Sequence, residues 1–277
     1  MKPTWQRAQS ALVCYAALAA GAVIMLFPFY YMVITSLKSD EEAASVTMQV
    51  FVENPTTEPF AELLGATSFA RAALNSLIVS GAVTIGNMLL CPLAGYAFAK
   101  HRFPGRQAIF IVLLSTMMLP PSVLIVPGFL LARDLGWLNT WLPLIVPNLA
   151  MPFGVFLARQ FIEKIPDDLI AAAKIDGCGE IGIYRNVIMP LSGPLLGTLG
   201  IFTFLTTWNN FIWPLVILRD EELLTIPLVI ALLQGRFFGN ENVQMAGAVL
   251  SILPVLLVFA IFQKRIVQSL ASTGLKE

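Results

Sequence analysis

Amides and indoles are the side chains in this sequence whose types and spacing suit the binding of a solute. Trp208, Asn209, Asn210 and Trp213 fall within the single short stretch TWNNFIW. An amide both donates and accepts hydrogen bonds, and an indole offers a flat apolar face with one N–H donor. The four residues therefore favour a hydroxylated, neutral solute, and we predict that they line its path. The open alternative is that the asparagines join neighbouring helices and the tryptophans lie at a membrane interface.

Residue patterns for catalysis or metal binding are missing from the sequence. It contains no G-x-x-x-x-G-K-[ST], H-E-x-x-H or G-x-S-x-G pattern. The one histidine, His101, lies among basic residues in KHRFPGR, which favours an interfacial or topogenic role over that of a base. The three cysteines suggest neither a disulfide framework nor a metal site. We therefore predict no catalytic, metal-binding or cofactor-binding residue and no enzymatic activity.

The composition is that of an integral membrane protein. Of 277 residues, 57% are hydrophobic and 12% are charged, and the mean hydropathy is +0.78. A soluble domain carries about 25% charged residues. Lys+Arg and Asp+Glu both number 17, so the net charge of zero gives no reason to expect a nucleic-acid partner.

Long runs without a charged residue predict an all-α protein with six transmembrane helices. The first run is too long for the 7–15-residue core of a signal peptide, so we expect it to be retained. Residues 223–235 are apolar but number only thirteen, where a span needs about twenty, and they are expected to be re-entrant or interfacial. The predicted spans are 8–37, 72–99, 107–132, 142–158, 191–218 and 242–263.

The basic residues predict the orientation of the spans. Cytoplasmic segments of membrane proteins carry the excess of Lys and Arg. With six spans and a cytoplasmic N-terminus, twelve basic residues lie inside and five outside, so both termini are expected to be cytoplasmic. The five outside are Lys38, Arg71, Arg133, Arg219 and Arg236.

Prolines interrupt the third and fourth predicted spans. Each proline removes a backbone donor, which is tolerated where neighbouring helices or a water-filled cavity satisfy the freed carbonyls. The six spans contain no ionisable residue, which weakens an ion-coupled carrier as an alternative function. The prolines are Pro120, Pro121, Pro127, Pro143, Pro147 and Pro152.

Charges of both signs return in residues 165–190, which we call the 165–190 loop. Asp167 and Asp168 suit the start of a helix, Lys174 its last turn, and Gly177 a left-handed stop. A helix of about ten residues is too short to be stable alone in water. Its small alanines would allow it to dock into a groove of another protein, and an ordinary polar connection is the alternative.

The loop sequence IPDDLIAAAKIDGCGEIGIYRNVIMPLSGP resembles the EAA loop of permease subunits of bacterial ABC importers. That pattern is roughly E-A-A, then D-G, then I-x-L-P. TFLTTWNNFIWPLVIL, LLTIPLVIALLQG and the C-terminal MAGAVLSILPVLLVFAIFQKRIVQSLASTGLKE are similar to the carbohydrate-uptake branch, the maltose- and glycerol-phosphate type. The resemblance implies the type I ABC importer permease fold and import of a sugar or sugar-like solute.

The resemblance also implies that the loop is a coupling helix that docks on a separate ATPase. Ala172, Ala173, Asp176, Gly177, Ile188 and Pro190 match the pattern. The usual glutamate of E-A-A is replaced by Ala171, and Asp167 and Asp168 lie one turn earlier. The docking residues expected on this basis are Asp168, Ala171, Ala172, Ala173, Asp176 and Gly177.

The partners implied are a second permease subunit, two ATPase subunits that bind ATP and Mg²⁺, an extracytoplasmic solute-binding protein and the lipid bilayer. The location implied is the bacterial inner membrane. The expected divisions are a cytoplasmic N-terminus (1–10), a first helix with an extracytoplasmic loop (11–70), a core domain (71–264) with the coupling loop (163–190), and a cytoplasmic tail (265–277). The alternatives are an ion-coupled secondary carrier and, behind it, a membrane enzyme.

Overall fold

The protein is helical wherever its structure is described. A computed structural model describes the backbone of residues 4–45, 49–237 and 239–274, and the side chains of 11–45, 49–235, 237 and 239–263. All regular elements within these ranges are helices, which confirms the expected all-α fold. The α-helices are α1 Thr4–Ser36, α2 Asp40–Ala43, α3 Glu58–Ala66, α4 Phe69–Lys100, α5 Arg106–Thr116, α6 Ile125–Asp134, α7 Leu142–Ile145, α8 Pro152–Ile162, α9 Asp167–Ile175, α10 Glu180–Ile183, α11 Met189–Leu191, α12 Gly193–Trp208, α13 Ile212–Ile217, α14 Ile226–Arg236 and α15 Glu241–Gly274. Short 3-10 turns lie at Pro121–Leu124, Val146–Asn148 and Glu221–Leu223, and a π-helical turn lies at Tyr184–Ile188.

Four helical segments in the described ranges are long and apolar enough to cross a membrane. They are Ala11–Ser36, Phe69–Lys100, Leu142–Ile162 and Glu241–Gln263. Two further candidates are broken: Arg106–Thr116 and Pro121–Asp134 meet at 94°, and Glu180–Leu191 and Gly193–Trp208 meet at 78°. If each bent pair is one span, the number is six, as the sequence predicts.

The third and fifth spans are both broken; the prolines predict an interruption of the third, whereas the fifth was expected to be continuous. The third breaks between Thr116 and Pro121, where two successive prolines remove backbone donors. The fifth was expected over 191–218, but α12 ends at Trp208. Pro214 lies in the next helix, α13, and its ring would clash with the carbonyl four residues back in a continuous helix. Most of the apolar segment 223–235 lies in α14, which has 11 residues and is too short to span a membrane.

The chain divides into two compact units, the first made of residues 1–69 and 230–253. The polar segment after α1 is folded within this unit. Lys38 is 3% exposed and its Nζ donates to the carbonyl of Gln49 at 3.0 Å. Asn242 Nδ2 donates to Asp40 Oδ1 at 2.8 Å, and Leu63 of α3 is fully buried. The segment is therefore tied into a core, unlike a simple solvated loop.

The second unit, residues 70–229 and 254–277, contains both candidate sites. Its long helix α4 is bonded to neighbouring elements through buried asparagines. Asn75 Nδ2 donates to the carbonyl of Leu224 at 2.9 Å, and Asn87 Oδ1 accepts from the Met151 N–H at 3.0 Å. These two amides therefore join helices, which was the alternative role considered for asparagines in the spans.

Helix α4 lies in close contact with α8 at Gly95. A Cβ at Gly95 would lie 2.6 Å from Ala158 Cβ and 2.8 Å from the Ala158 carbonyl carbon. These atoms belong to a helix backbone that cannot move aside without displacing α8. The glycine therefore sets the distance between the two helices.

Gly95→Ala is expected to destabilise the protein by about 1–3 kcal/mol, the usual cost of overpacking. The matched control is Gly81→Ala in the same helix, where a Cβ meets nothing within 4 Å. That control should be neutral or stabilising by up to about 1 kcal/mol through helix propensity. The midpoint of thermal unfolding in detergent measures both, and equal midpoints would contradict the close contact.

Candidate functional site

The 165–190 loop has the helix–stop–helix form that its sequence predicts. Helix α9 ends where Gly177 takes the left-handed conformation, at φ +82°. The Cys178 N–H then donates to the Ala173 carbonyl at 2.9 Å, and the Gly177 N–H to the Lys174 carbonyl at 3.1 Å. These bonds satisfy carbonyls that the end of a helix leaves free. A side chain with a Cβ is strained at this φ, so the stop requires glycine or a residue such as asparagine.

The inner face of the loop is packed into the core of the second unit. Ile170 and Ala173 are 9% and 7% exposed, and Ile183 and Ile188 are fully buried. They share one apolar cluster with residues of α4, α8 and α12. Ala173, one of the predicted docking residues, therefore packs within this chain and does not lie on the loop's exposed surface.

A buried lysine fastens the start of the loop to the end of α4. Lys100 Nζ donates to the carbonyl of Ile165 and to Asp167 Oδ1, both at 2.6 Å. The Lys100 side chain is only 9% exposed, whereas that of Asp167 is 84% exposed. The bond from the ammonium to the Ile165 carbonyl orients the backbone that leads into α9.

A single carboxylate fastens the second half of the loop. Glu180 Oε2 accepts from the Tyr96 hydroxyl at 2.9 Å and lies 3.3 Å from His101 Nε2, while Oε1 lies 3.0 Å from Lys174 Nζ. Glu180 thus joins α4, the residue after α4, and α9. We call this group the Glu180 clamp.

Charge and hydrogen bonding keep the clamp ionised. The hydrogen bonds from Lys174 and then from Tyr96 hold the pKa of the Glu180 carboxyl below its usual value. A carboxyl whose pKa is lowered by folding contributes stability above its ordinary pKa and loses it as the pH falls through the lowered value. The Glu180 carboxylate is therefore ionised at neutral pH. His101, expected to be interfacial, is one of its members.

The outer face of the loop leaves large apolar side chains uncovered. Ile175 and Ile181 are 87% and 84% exposed, and Leu169 is 43% exposed. Outside the spans, where lipid does not cover them, several apolar side chains exposed on one short segment are typical of a surface that binds another molecule. The other predicted docking residues, apart from Ala173, are exposed with them: Asp168, Ala171, Ala172, Asp176 and Gly177.

Ala171 lines a polar cavity of about 460 Å³ beside the loop. The charged residues around it are predominantly basic. They are Lys100, Arg102, Arg106, Lys174, Glu163 and Asp167, with Tyr96 and His101 beside them. The alanine at the usual glutamate position therefore leaves one wall of a charged cavity without a carboxylate.

A second, larger cavity of about 820 Å³ contains most of the predicted solute-path residues. Asn209, Asn210 and Trp213 line it. Trp208 does not line it: its side chain is 3% exposed and stacks on Phe204 with ring centroids 5.4 Å apart. The four residues lie within six positions of each other, but α12 ends at Trp208. Trp208 therefore faces the core, while Asn209, Asn210 and Trp213 face the cavity.

Broken helices build the wall of this cavity, which we call the large cavity. Pro121, Pro143 and Pro147 line it together with Trp213. Trp213 Nε1 donates to the Pro143 carbonyl at 3.0 Å, so the indole is fixed at the wall. A Cβ added at Gly128 would lie only 2.9 Å from Cη2 of the Trp213 ring, so the ring packs directly against this glycine. Irregular backbone at membrane depth is tolerated where it is buried in protein or lines a cavity, and both conditions apply here.

The lining of the large cavity carries no charged side chain among the described residues. Its polar groups are the amides of Asn148, Asn209 and Asn210, the hydroxyls of Ser122 and Thr206, and the indoles of Trp137 and Trp213. Asn209 Nδ2 donates to the Leu205 carbonyl at 2.8 Å, which leaves its amide oxygen to accept from a solute.

Sequence reasoning did not find Lys100, Glu180 or Tyr96. Lys100 was read only as a topogenic charge, yet it is the buried anchor of the loop. The available signal was a cation at the end of one long helix and a carboxylate three residues after the glycine stop. Neither pattern identifies the partner of the charge, since the contacts join residues 65 to 84 positions apart.

Comparison with known proteins identifies the family. Residues 92–272, more than half of the chain, match the family of the binding-protein-dependent transport system inner membrane component. The chain belongs to this family. Membership of a binding-protein-dependent transport family excludes the ion-coupled carrier as an alternative and agrees with a role as a transport subunit.

Relatives match over nearly the whole chain. The arabinooligosaccharides transport system permease protein AraQ of Bacillus subtilis (strain 168) is 32% identical over 259 residues, 92% of each chain. The sn-glycerol-3-phosphate transport system permease protein UgpE of Rhizobium meliloti (strain 1021) is 30% identical over 279 residues, 97% of this chain and 98% of the relative. A solved bacterial ABC transporter involved in the import of the acidic polysaccharide alginate has a chain that superposes with a TM-score of 0.83 at 25% identity, over 96% of this chain and 99% of that one. The fold is that of an ABC importer permease.

Glu180→Gln is expected to loosen the loop because the neutral amide loses the charge that attracts Lys174. Cys178, in the loop and partly exposed, reports this opening through its rate of maleimide labelling. Exposed ion pairs contribute about 0–1 kcal/mol, so the rate should rise by up to about fivefold. The measurement uses a Cys14→Ser background, since Cys14 is exposed and Cys91 is buried.

Glu163→Gln is the matched control for the clamp. Glu163 lines the polar cavity that Tyr96, His101 and Lys174 of the clamp also line, but none of the ion pairs among the described residues includes it. Its substitution should leave the labelling rate unchanged. Equal rates for Glu180→Gln and the unmodified chain would contradict a clamp at Glu180.

Proposed function

We propose that this protein is one of two permease subunits of an ATP-driven importer for an uncharged sugar, and that it couples to a separate ATPase through the 165–190 loop. The single observation that carries the proposal is the loop's two-faced form. Its inner face is buried and bonded to α4, while Ile175 and Ile181 on its outer face are almost fully exposed. A segment anchored on one side and apolar on the other is suited to transmit force from a bound partner.

The docking surface in this proposal consists of Asp168, Ala171, Ala172, Asp176 and Gly177 with Leu169, Ile175 and Ile181. Small residues at Ala171, Ala172 and Gly177 allow a partner's backbone to approach closely, and the isoleucines provide apolar area to bury. Ala173 supports this surface from within the core. Without the usual glutamate, contact depends more on shape and apolar area than on a salt bridge to an ATPase arginine.

The proposed orientation places the loop in the cytoplasm, because twelve of the seventeen basic residues then lie on that side. Both termini are cytoplasmic in this arrangement. The ATPase subunits, which supply the nucleotide site and Mg²⁺, are reached only from the cytoplasm. The proposed assembly contains this chain, a second permease subunit, two ATPase subunits and the solute-binding protein on the opposite side.

The large cavity is the proposed contribution of this chain to the solute path. Amides that accept and donate hydrogen bonds and indoles with flat faces suit the hydroxyls and C–H faces of a sugar. An ionised group in a water-poor cavity requires an opposite charge or dense hydrogen bonding, and the described residues of the lining include no basic side chain. A neutral oligosaccharide, as in the name of the arabinooligosaccharide relative, fits this lining better than a phosphate ester or a polyuronate.

Ile175→Asp is expected to uncouple the transporter. Burying an isoleucine side chain contributes about 1.5–3 kcal/mol, so the substitution should lower uptake and binding-protein-stimulated ATP hydrolysis by roughly tenfold or more. The side chain is 87% exposed within this chain, so its own packing should not change. Uptake into proteoliposomes and ATP hydrolysis measure the effect.

Ile175→Leu, which keeps the apolar area, is the matched control and should retain most of the activity. Co-purification of the ATPase subunits with each variant separates lost docking from lost transmission. Normal assembly and normal uptake by Ile175→Asp would show that the exposed isoleucine is not a docking residue.

Asn209→Asp and Asn209→Lys test whether the solute is uncharged. Two unit charges about 6 Å apart at an effective dielectric constant of about 20 interact by about 3 kcal/mol. An anionic solute would therefore be transported more than roughly tenfold better by the Lys variant than by the Asp variant. For a neutral sugar, we expect both variants to lose uptake to a similar extent.

Asn209→Ala provides the baseline for this pair, because it also removes the bond to the Leu205 carbonyl but adds no charge. Uptake is measured with the solute that the cognate binding protein retains. A strong preference for the Lys variant would overturn the neutral-solute assignment and leave the importer assignment intact.

A further inference from the structure

A small polar cavity in the second unit lies between α4, the end of α12 and the residue before α14. Its volume is about 10 Å³. The polar residues that line it are Ser76 of α4, Thr207 of α12, Asn210, which follows α12, and Thr225. Val79, Leu144 and Pro214 complete the wall with apolar surface.

Two hydroxyls at this cavity are buried without a hydrogen-bond partner among the described residues. They are Thr207 Oγ1 and Thr225 Oγ1. Thr225 is 5% exposed as a whole residue. Buried hydroxyls are almost always bonded to protein or to ordered water, because an unpaired one forfeits the hydrogen bonds it made in solvent.

A third hydroxyl at the same cavity has a proton to offer. Ser76 Oγ accepts from the Ile226 N–H at 2.8 Å. A hydroxyl that accepts one bond still carries its own O–H donor. Ser76, Thr207, Thr225 and the Asn210 amide therefore converge on the cavity with both donors and acceptors.

We propose that this cavity binds one ordered water molecule, which bridges Thr207, Thr225, Ser76 and Asn210. A water needs about 10–15 Å³ of space open to its centre and two to four polar partners, and the site has both. The water accepts from hydroxyl protons and donates to hydroxyl and amide oxygens. No carboxylate lines the cavity among the described residues, which favours water over a metal cation.

The bound water connects three parts of the unit that are distant in sequence. Asn210 lines both this cavity and the large cavity, and its Oδ1 accepts a long bond of 3.4 Å from the Trp213 N–H. The water therefore fixes the Asn210 amide at the edge of the large cavity through Ser76 of α4 and Thr225. This role of the site does not depend on the identity of the transported solute.

The test is a high-resolution structure of the assembled transporter combined with radiolytic hydroxyl-radical labelling in H₂¹⁸O. A density peak is expected within hydrogen-bond distance of Thr207 Oγ1 and Thr225 Oγ1. Millisecond X-ray pulses should label Leu144 and Pro214, although Leu144 is only 3% exposed, because a bound water supplies the radical locally. Thr207→Val with Thr225→Val should reduce that labelling to background.

Thr198→Val is the matched control, since Thr198 lies in the same helix and its hydroxyl already donates to the Pro194 carbonyl at 3.0 Å. Its labelling pattern should equal that of the unmodified chain. The proposal is overturned if both threonine hydroxyls are bonded to backbone carbonyls with no peak between them. It is equally overturned if a peak has oxygen ligands at about 2.4 Å, the distance of a bound cation, in place of about 2.8 Å for water.

Discussion

The attachment of the 165–190 loop to the helices of the second unit is the constraint on which the rest of the structure depends. A nine-residue helix is unstable in water by itself, and here burial of Ile170, Ala173, Ile183 and Ile188 stabilises it. Lys100 and Glu180 then fix its direction with charge-assisted bonds, which are stronger and shorter than neutral ones. The close contact at Gly95 holds α4 against α8, so that Lys100 and Tyr96 reach the loop.

The same apolar cluster connects the loop to the large cavity. Leu195 and Leu199 of α12 belong to the cluster that buries the loop's inner face. The other end of α12 leads into Asn209 and Asn210 at the cavity. In the proposed mechanism, a displacement of the loop would be transmitted along this helix to the residues proposed to contact the solute. The breaks that follow α12 and that separate α5 from α6 supply backbone that can change direction beside the cavity.

The elements governed by local chemistry could be predicted from the sequence. Charge-free runs indicated the spans, the Asp–Ala–Lys–Gly order indicated a short helix with a left-handed stop, and the length of 223–235 indicated a helix too short to span. The prolines indicated an interruption in the third span, but the break in the fifth span was not located, because a proline indicates a lost donor but not where the helix on either side ends. The 94° bend also depends on the packing of both halves.

The contacts that assemble the site could be predicted only in part. Asn209, Asn210 and Trp213 line the large cavity together, but Trp208 faces the core because α12 ends immediately after it. Ala173 could not be separated from Ala171 and Ala172 by residue type, since three alanines in a row carry no periodicity. The Glu180 clamp joins residues that are distant in sequence, and the replacement of the usual glutamate by Ala171 gave no indication of it.

The central claim is that the loop moves as one body with α4 when a partner acts on it. The most direct measurement is the distance between spin labels at Asn186 in the loop, outside the proposed docking surface, and Arg102 just after α4, in the assembled transporter with and without ATP. Both positions are exposed. The account predicts one narrow distance distribution that is the same in both states. A shift or a marked broadening on addition of ATP would show that the loop moves independently of α4 and would contradict the account.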